Sequence, residues 1–190
     1  TTVLVLNSGS SSVKYQVIAL PTEDVLSKGE RDRVGIGGGS FSNHRAAIAN
    51  IIDSLPQGVR VDLVGHRVVH GGQSFTAPVL IDDEVISGIK TVSSLAPLHN
   101  PANLQGIQAV TEVMPHIPQV AVFDTAYFAT LVPAAYDYPL PRELVERYSI
   151  RKYGFHGTSH QYVNHLLLKI EEDRGYPLRV VSFHLGNGSS

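Results

Sequence analysis

Apolar positions recur along the chain with two different periods. Five short segments are dense in Val, Ile, Leu and Phe: VLVL (3–6), VKYQVIAL (13–20), VDLVGHRVV (61–69), VAVFD (120–124) and VVSFHL (180–185). Their lengths and β-branched content predict strands. VLVL and VAVF are apolar at every position, as central strands covered on both faces would be. In VKYQVIAL the period is two, with Val13, Tyr15 and Val17 on one face and Lys14 and Gln16 on the other. Between these runs the spacing lengthens to that of helices. HRAAIANIIDSL (44–55) follows a capping Ser42 or Asn43, and PANLQGIQAVTEVM (101–114) starts with Pro101 after Asn100. HQYVNHLLLKIEED (160–173) sets Val163, Leu166, Leu167 and Ile170 on one face behind Thr158 or Ser159 as cap. Strands alternating with helices predict an α/β fold. GIGGGSFSN (35–43) reads as a loop, and Pro133, Pro139 and Pro141 mark 129–142 as a candidate boundary between lobes.

Composition narrows the function classes. Seventeen acids against fifteen Lys and Arg give a formal net charge of −2, so no basic footprint points to nucleic acid or an anionic membrane. Any anion must be caught locally. The absence of cysteine excludes disulfides, thiolate metal sites and a cysteine nucleophile. No apolar run approaches the roughly 20 residues of a membrane helix, and the expectation is a soluble, cytoplasmic protein.

Two loops have the makings of phosphate cradles. NSGSSSVK (7–14) offers small residues, hydroxyls and a lysine, but it lacks the order of the common nucleotide loop and leads into a strand instead of a helix. It is therefore a hairpin tip, either a plain polar turn or a ligand-facing one. VVSFHLGNGSS (180–190) repeats the pattern of apolar strand into Gly, Asn and Ser, with His184 just before the loop. Arg67, in the strand of GHRVVHGG, is costly unless it is paired with an acid or binds a carboxylate or phosphoryl group. Asp124 ends an apolar strand, where α/β folds place ligands and where ordinary turn residues also occur. His156 and His160 are four apart, but Gly157 stands where a zinc protease has its Glu. His66 and His70 are also four apart, on a strand that separates them by about 13 Å. Zinc is not expected, and His66, His70 and His160 read as hydrogen-bonded core or cap residues.

In order, VLVLNSGSSSVKYQVI, GHRVVHGG, LAPLHNPANLQGI, VFDTAYF, YGFHGTSH and FHLGNGSS closely resemble the acetate and propionate kinases. The likeness spans residue 3 to the end apart from 21–60, which look shorter than their counterpart. It implies a ribonuclease-H-like lobe of the actin-type ATPase fold, a mixed sheet flanked by helices, with residues 1–126 as the first lobe and 127–190 opening a second, truncated one. It implies ATP and acetate as substrates, ADP and acetyl phosphate as products, Mg2+ (or Mn2+) as cofactor and a homodimer. Carried over by motif, Arg67, Asp124 and His156 are catalytic. Ser10, Ser12, Lys14, His184, Leu185, Gly186, Asn187 and Gly188 bind ATP. Arg67, Val69, Leu98, His99 and Phe155 meet the acyl substrate, and Asn7 holds the metal through its water shell. A carboxylic acid is already ionised at pH 7 and needs no general base, so Asp124 is expected to orient Arg67 or metal-bound water. The family is about twice this length, and its second lobe supplies an adenosine pocket, another arginine and a metal-binding glutamate. The chain is thus expected to be a fragment; a non-catalytic nucleotide-binding module and a sugar kinase of the same superfamily are the rival readings.

Overall fold

The computed structural model describes residues 1–186 and 188–190. Three antiparallel strands open the chain: β1 (Thr2–Ser8), β2 (Ser12–Ala19) and β3 (Asp24–Asp32). The helix α1 (His44–Asp53) leads to β4 (Leu63–Val68), followed by β5 (Val79–Leu80), α2 (Asp83–Val92), α3 (Asn100–Val113) and β6 (Gln119–Phe123). The sheet order is β3-β2-β1-β4-β6-β5, with β4 parallel to both β1 and β6 and β5 antiparallel at the far edge. A meander joined to a parallel pair is the mixed α/β sheet expected. The chain continues through α4 (Pro133–Tyr136), α5 (Arg142–Tyr148) and α6 (Gly157–Arg174).

The expected helices form, but only α1 starts at an expected cap: Asn100 lies inside α3 with no side-chain cap before it, and α6 begins at Gly157 behind His156, so neither Thr158 nor Ser159 caps it. Asn43 accepts from Ala46 N at 2.9 Å and starts α1, whose Ala47, Ile48 and Ile51 pack on Leu4, Leu6, Val13 and Val17. On the same face, α3 lies close enough to β1 that a Cβ on Gly106 would collide with Ser8 Oγ, so only glycine fits there. A second cluster joins Val68, Ile89, Leu104, Ile107, Ala121 and Phe123.

Several expectations fail. The segment 180–185 forms no strand: it pairs with none of the six strands, and Val181, Phe183 and Leu185 are exposed. A strand needs a neighbour for its backbone groups, and apolar content alone supplies none. β1 is covered on one face only, because Val5 remains 37% exposed while Leu4 and Leu6 are fully buried. The α6 stripe of Val163, Leu166 and Ile170 is likewise exposed. β3 and α2 were not foreseen. Five of the nine residues in DVLSKGERD are charged, which suits a solvent-facing edge strand and hides the period of two. α2 does carry a signal, with Asp82 capping Val85 N at 2.8 Å and Val85, Ile86 and Ile89 on one face.

His66 sits in the core of β4. Its Nε2 donates to Gln119 Oε1 at 2.8 Å, Gln119 Nε2 donates to Thr111 Oγ1 at 2.9 Å, and that hydroxyl donates to Ile107 O. Burial strips water from the imidazolium and holds the pKa at about 4, although the bond to Gln119 works in the other direction. The unfolded chain takes up a proton near pH 6.5 that the folded chain refuses until about 4. Stability is therefore complete above the unfolded value and falls as pH drops through that window, by roughly 3 kcal/mol in total. Denaturant midpoints measured from pH 7 to 4.5 should fall more steeply for the wild type than for His66→Gln; equal slopes would exclude His66 as the source.

Candidate active site

Parallel strands place their exits side by side, so residues near the ends of β1, β4 and β6 meet. On the face away from α1 and α3, Asn7 of β1 and Arg67 of β4 meet Asp124, the residue after β6. Arg67 Nη2 donates to Asp124 Oδ2 at 2.6 Å, and Nε donates to Oδ2 at 3.0 Å and Oδ1 at 3.2 Å. The other arm of the guanidinium, Nη1, reaches Asn7 Oδ1 at 3.2 Å. Asp124 is fully buried, whereas the Arg67 side chain keeps 31% of its surface. The arginine is thus gripped from behind and open in front.

The start of α6 completes the carboxylate's shell. Thr158 Oγ1 donates to Asp124 Oδ1 at 2.9 Å. A Cβ on Gly157 would run into the Asp124 carbonyl, so the helix can approach only with glycine at that position. His156 precedes it at φ 54°, ψ 27°, a left-handed conformation that non-glycine residues rarely hold outside constrained sites. Its ring stacks on His184 with centroids 4.0 Å apart, and its Nδ1 lies 2.9 Å from Ser190 Oγ. Burial pushes the His156 pKa down, and the neighbouring His184 adds to the effect, so the ring favours its neutral form.

These groups share a cleft of about 680 Å³. Val69, Leu98, His99 and Phe155 line it beside Arg67, Asp124 and His156, and Gly188, Ser189 and Ser190 close one side. Leu98 is 79% exposed and Phe155 42%, so neither belongs to the core; they are apolar walls facing open space. Val69 is buried.

The candidate ATP-binding residues are more scattered. Lys14 pairs across the strands with Asn7 and reaches Glu30 at 3.5 Å, an exposed contact too weak to hold it from another partner. Ser10, by contrast, lines a separate hollow with Asn43 and His44. His184 Nδ1 lies 3.0 Å from Ser159 Oγ, Leu185 and Gly186 are exposed, and Asn187 lies outside the described residues. Where a strand was expected before this loop, residues 184 and 190 exchange two backbone hydrogen bonds, of 2.8 and 3.0 Å.

The sequence of these motifs and the meander-plus-parallel sheet behind them match known proteins closely. The profile of the acetokinase family covers residues 2–190. The chain belongs to the acetokinase family. It is 46% identical to the acetate kinase of Shouchella clausii and 46% identical to that of Thermotoga maritima, in each case over 99% of its own length. It spans about half the length of these relatives, 53% and 52%. The alignment with the Shouchella clausii enzyme runs over 209 positions, more than the 190 residues present, so that acetokinase has residues without a counterpart here. A crystal structure of Porphyromonas gingivalis acetate kinase superposes on the whole chain with TM-score 0.89 at 38% identity, covering 53% of that protein. A propionate kinase from Francisella tularensis gives the same TM-score at 36% identity over the same shares. In acetokinase terms, the chain presents the actin-type ATPase fold.

Thr158 was foreseen only as a helix cap; its bond to Asp124 has no signature in one dimension. Neither have Asn100 and Asn103, which bind the backbone of the loop after β4. Because Asp124 is buried, Arg67→Ala leaves an uncompensated charge and should cost about 3–5 kcal/mol of stability. Adding Asp124→Asn to that variant should recover most of the loss; chemical denaturation of the single and double variants reads the difference, and no recovery would mean that the pair is not what Arg67→Ala breaks.

Proposed function

We propose that the protein is an acetate kinase, reversibly transferring the γ-phosphoryl group of ATP to acetate to give acetyl phosphate and ADP. The observation that carries this reading is Arg67, fixed by Asp124 and directed into a cleft with apolar walls. A guanidinium beside Val69, Leu98 and Phe155 suits a small carboxylate with a short hydrocarbon tail. It suits a sugar poorly, since sugar sites need several polar side chains to read hydroxyls.

A carboxylate oxygen of acetate attacks the γ-phosphorus as the bond to the ADP oxygen breaks, and no proton moves. Catalysis then rests on alignment and on neutralising charge that spreads over the phosphoryl oxygens. Arg67 meets that charge. A neutral His156 adds a hydrogen bond, with Ser190 beside its Nδ1. Asp124 has no proton to remove; it holds Arg67 in place. Lys14, Ser10, Ser12 and the 184–188 loop take the ATP phosphates. Among the described residues no group of three or more His, Asp or Glu side chains gathers to bind a metal. Asn7 is the oxygen donor here, since both Asp124 oxygens are taken by Arg67 and Thr158; one neutral oxygen suits Mg2+ (or Mn2+), an ion that keeps much of its water and takes phosphate oxygens as ligands. Bound with ATP, it would supply charge neutralisation, and Asn7 would hold it through water.

Residues 1–126 form one lobe in this reading and 127–190 begin a second. Family membership further supports a homodimer at work in the cytoplasm. No helix is long and apolar enough to cross a membrane among the described residues. The likeness to a propionate kinase favours a second acyl substrate, because a methylene changes binding in such a pocket by only ~1–3 kcal/mol.

Hydroxylamine trapping of acyl phosphate tests the reading, with ATP, Mg2+ and acetate or propionate supplied. Acyl-dependent hydroxamate is expected from the full-length protein; none from a folded, full-length protein would overturn the kinase assignment. A chain ending at Ser190 that binds ATP without forming product would instead be a nucleotide-binding lobe. In the active protein Arg67→Ala should lower kcat by roughly 10²–10³-fold, well beyond the loss from Lys14→Ala; equal small losses would refute that ranking.

A further inference from the structure

The parallel ladder between β1 and β4 ends at the pair Leu6 and His66. Two residues beyond Leu6 and three beyond His66, the strands no longer bond directly. A side chain stands between them instead. Val69 N donates to Asn103 Oδ1 at 3.1 Å, and Asn103 Nδ2 donates to Ser8 O at 2.8 Å. Because one partner is a backbone donor and the other a backbone acceptor, only one orientation of the carboxamide satisfies both. Asn103 is buried, as is Asn100 one turn earlier. Asn100 makes a matching pair of bonds to His70, accepting from its N–H at 3.0 Å and donating to its carbonyl at 2.9 Å.

We propose that Asn103 is a positioning residue, whose carboxamide replaces one rung of the β1–β4 ladder and sets the spacing between the phosphate hairpin and the acyl wall. Ser8 leads into the hairpin tip, and Val69 lines the cleft. Asn7 and Arg67, next to the bridged strand ends, face the other way and touch each other across the cleft floor at 3.2 Å. Their separation is thus fixed from behind by a helix that touches no substrate. Leu98 and His99, just before α3, line the same cleft, so one rigid element registers three parts of the site. Glycine at 106 lets the helix lie close enough to Ser8 for the bridge to form. The inference rests on the acetate-kinase reading, in which the two sides of this bridge hold different substrates.

Steady-state kinetics of the full-length protein separates positioning from mere support. Asn103→Asp keeps the acceptor for Val69 N–H, loses the donor to Ser8 and sets an oxygen against that carbonyl. It should raise KM for ATP about fivefold or more and lower kcat roughly 10–100-fold, leaving KM for acetate within about twofold. Asn103→Ala, which removes both bonds and adds no charge, should raise both KM values, and it reads the same losses should the aspartate variant fail to fold. A purely structural role would lower the thermal midpoint while kcat per folded site and both KM values stayed at the wild-type level, and that result would overturn the proposal. A wild-type protein without acyl-dependent turnover would overturn the acetate-kinase reading and this inference with it. An active wild type with unaffected variants would overturn this inference alone.

Discussion

The ion pair between Arg67 and Asp124 is the constraint around which the rest of the site is arranged. A carboxylate with no exposed surface must be fully satisfied, and here two nitrogens of one guanidinium and the Thr158 hydroxyl satisfy it. That requirement links three segments distant in sequence: the end of β6, the end of β4 and the start of α6. It explains why a glycine must stand at 157, where the helix has to come close, and why an arginine is tolerated in a strand that is otherwise core. The same pair leaves part of the guanidinium open to the cleft, and the proposed substrate site rests on that opening.

The sheet divides labour between its faces. Toward α1 and α3 it presents Leu4, Leu6, Val13, Val64 and Val68, all fully buried, together with His66 kept neutral in its hydrogen-bonded chain. Toward the cleft it presents Asn7, Lys14 and Arg67. Strand alternation produces this division directly, since successive residues face opposite ways. The helices act from behind. α3 reaches past the ends of β1 and β4 with Asn100 and Asn103 and supplies backbone partners that the sheet no longer provides there.

Much of this was legible in one dimension, and the exceptions have physical reasons. Apolar spacing located β1, β2, β4, β6, α1, α3 and α6, and Asn43 marked the start of α1, since each of these properties is local. Arg67 and Asp124 stood out because a charge in an apolar run must be accounted for. Nothing local announces that Thr158 will turn toward Asp124, or that an asparagine in a helix will bridge two strands; those contacts exist only once the sheet has formed. β3 was masked by its charges. The run VVSFHL erred in the opposite direction, because an apolar sequence needs a neighbouring strand and none of the six pairs with it.

The central claim is that Asp124 acts through Arg67 and not as an acid or base of its own. A double-mutant cycle on kcat/KM, comparing Arg67→Ala, Asp124→Asn and the double variant in the full-length protein, tests it most directly. If Asp124 only holds Arg67, the second substitution should cost almost nothing once the arginine is gone, and the double variant should be about as active as Arg67→Ala alone. Losses that multiply would contradict the account and give Asp124 an independent part in the chemistry.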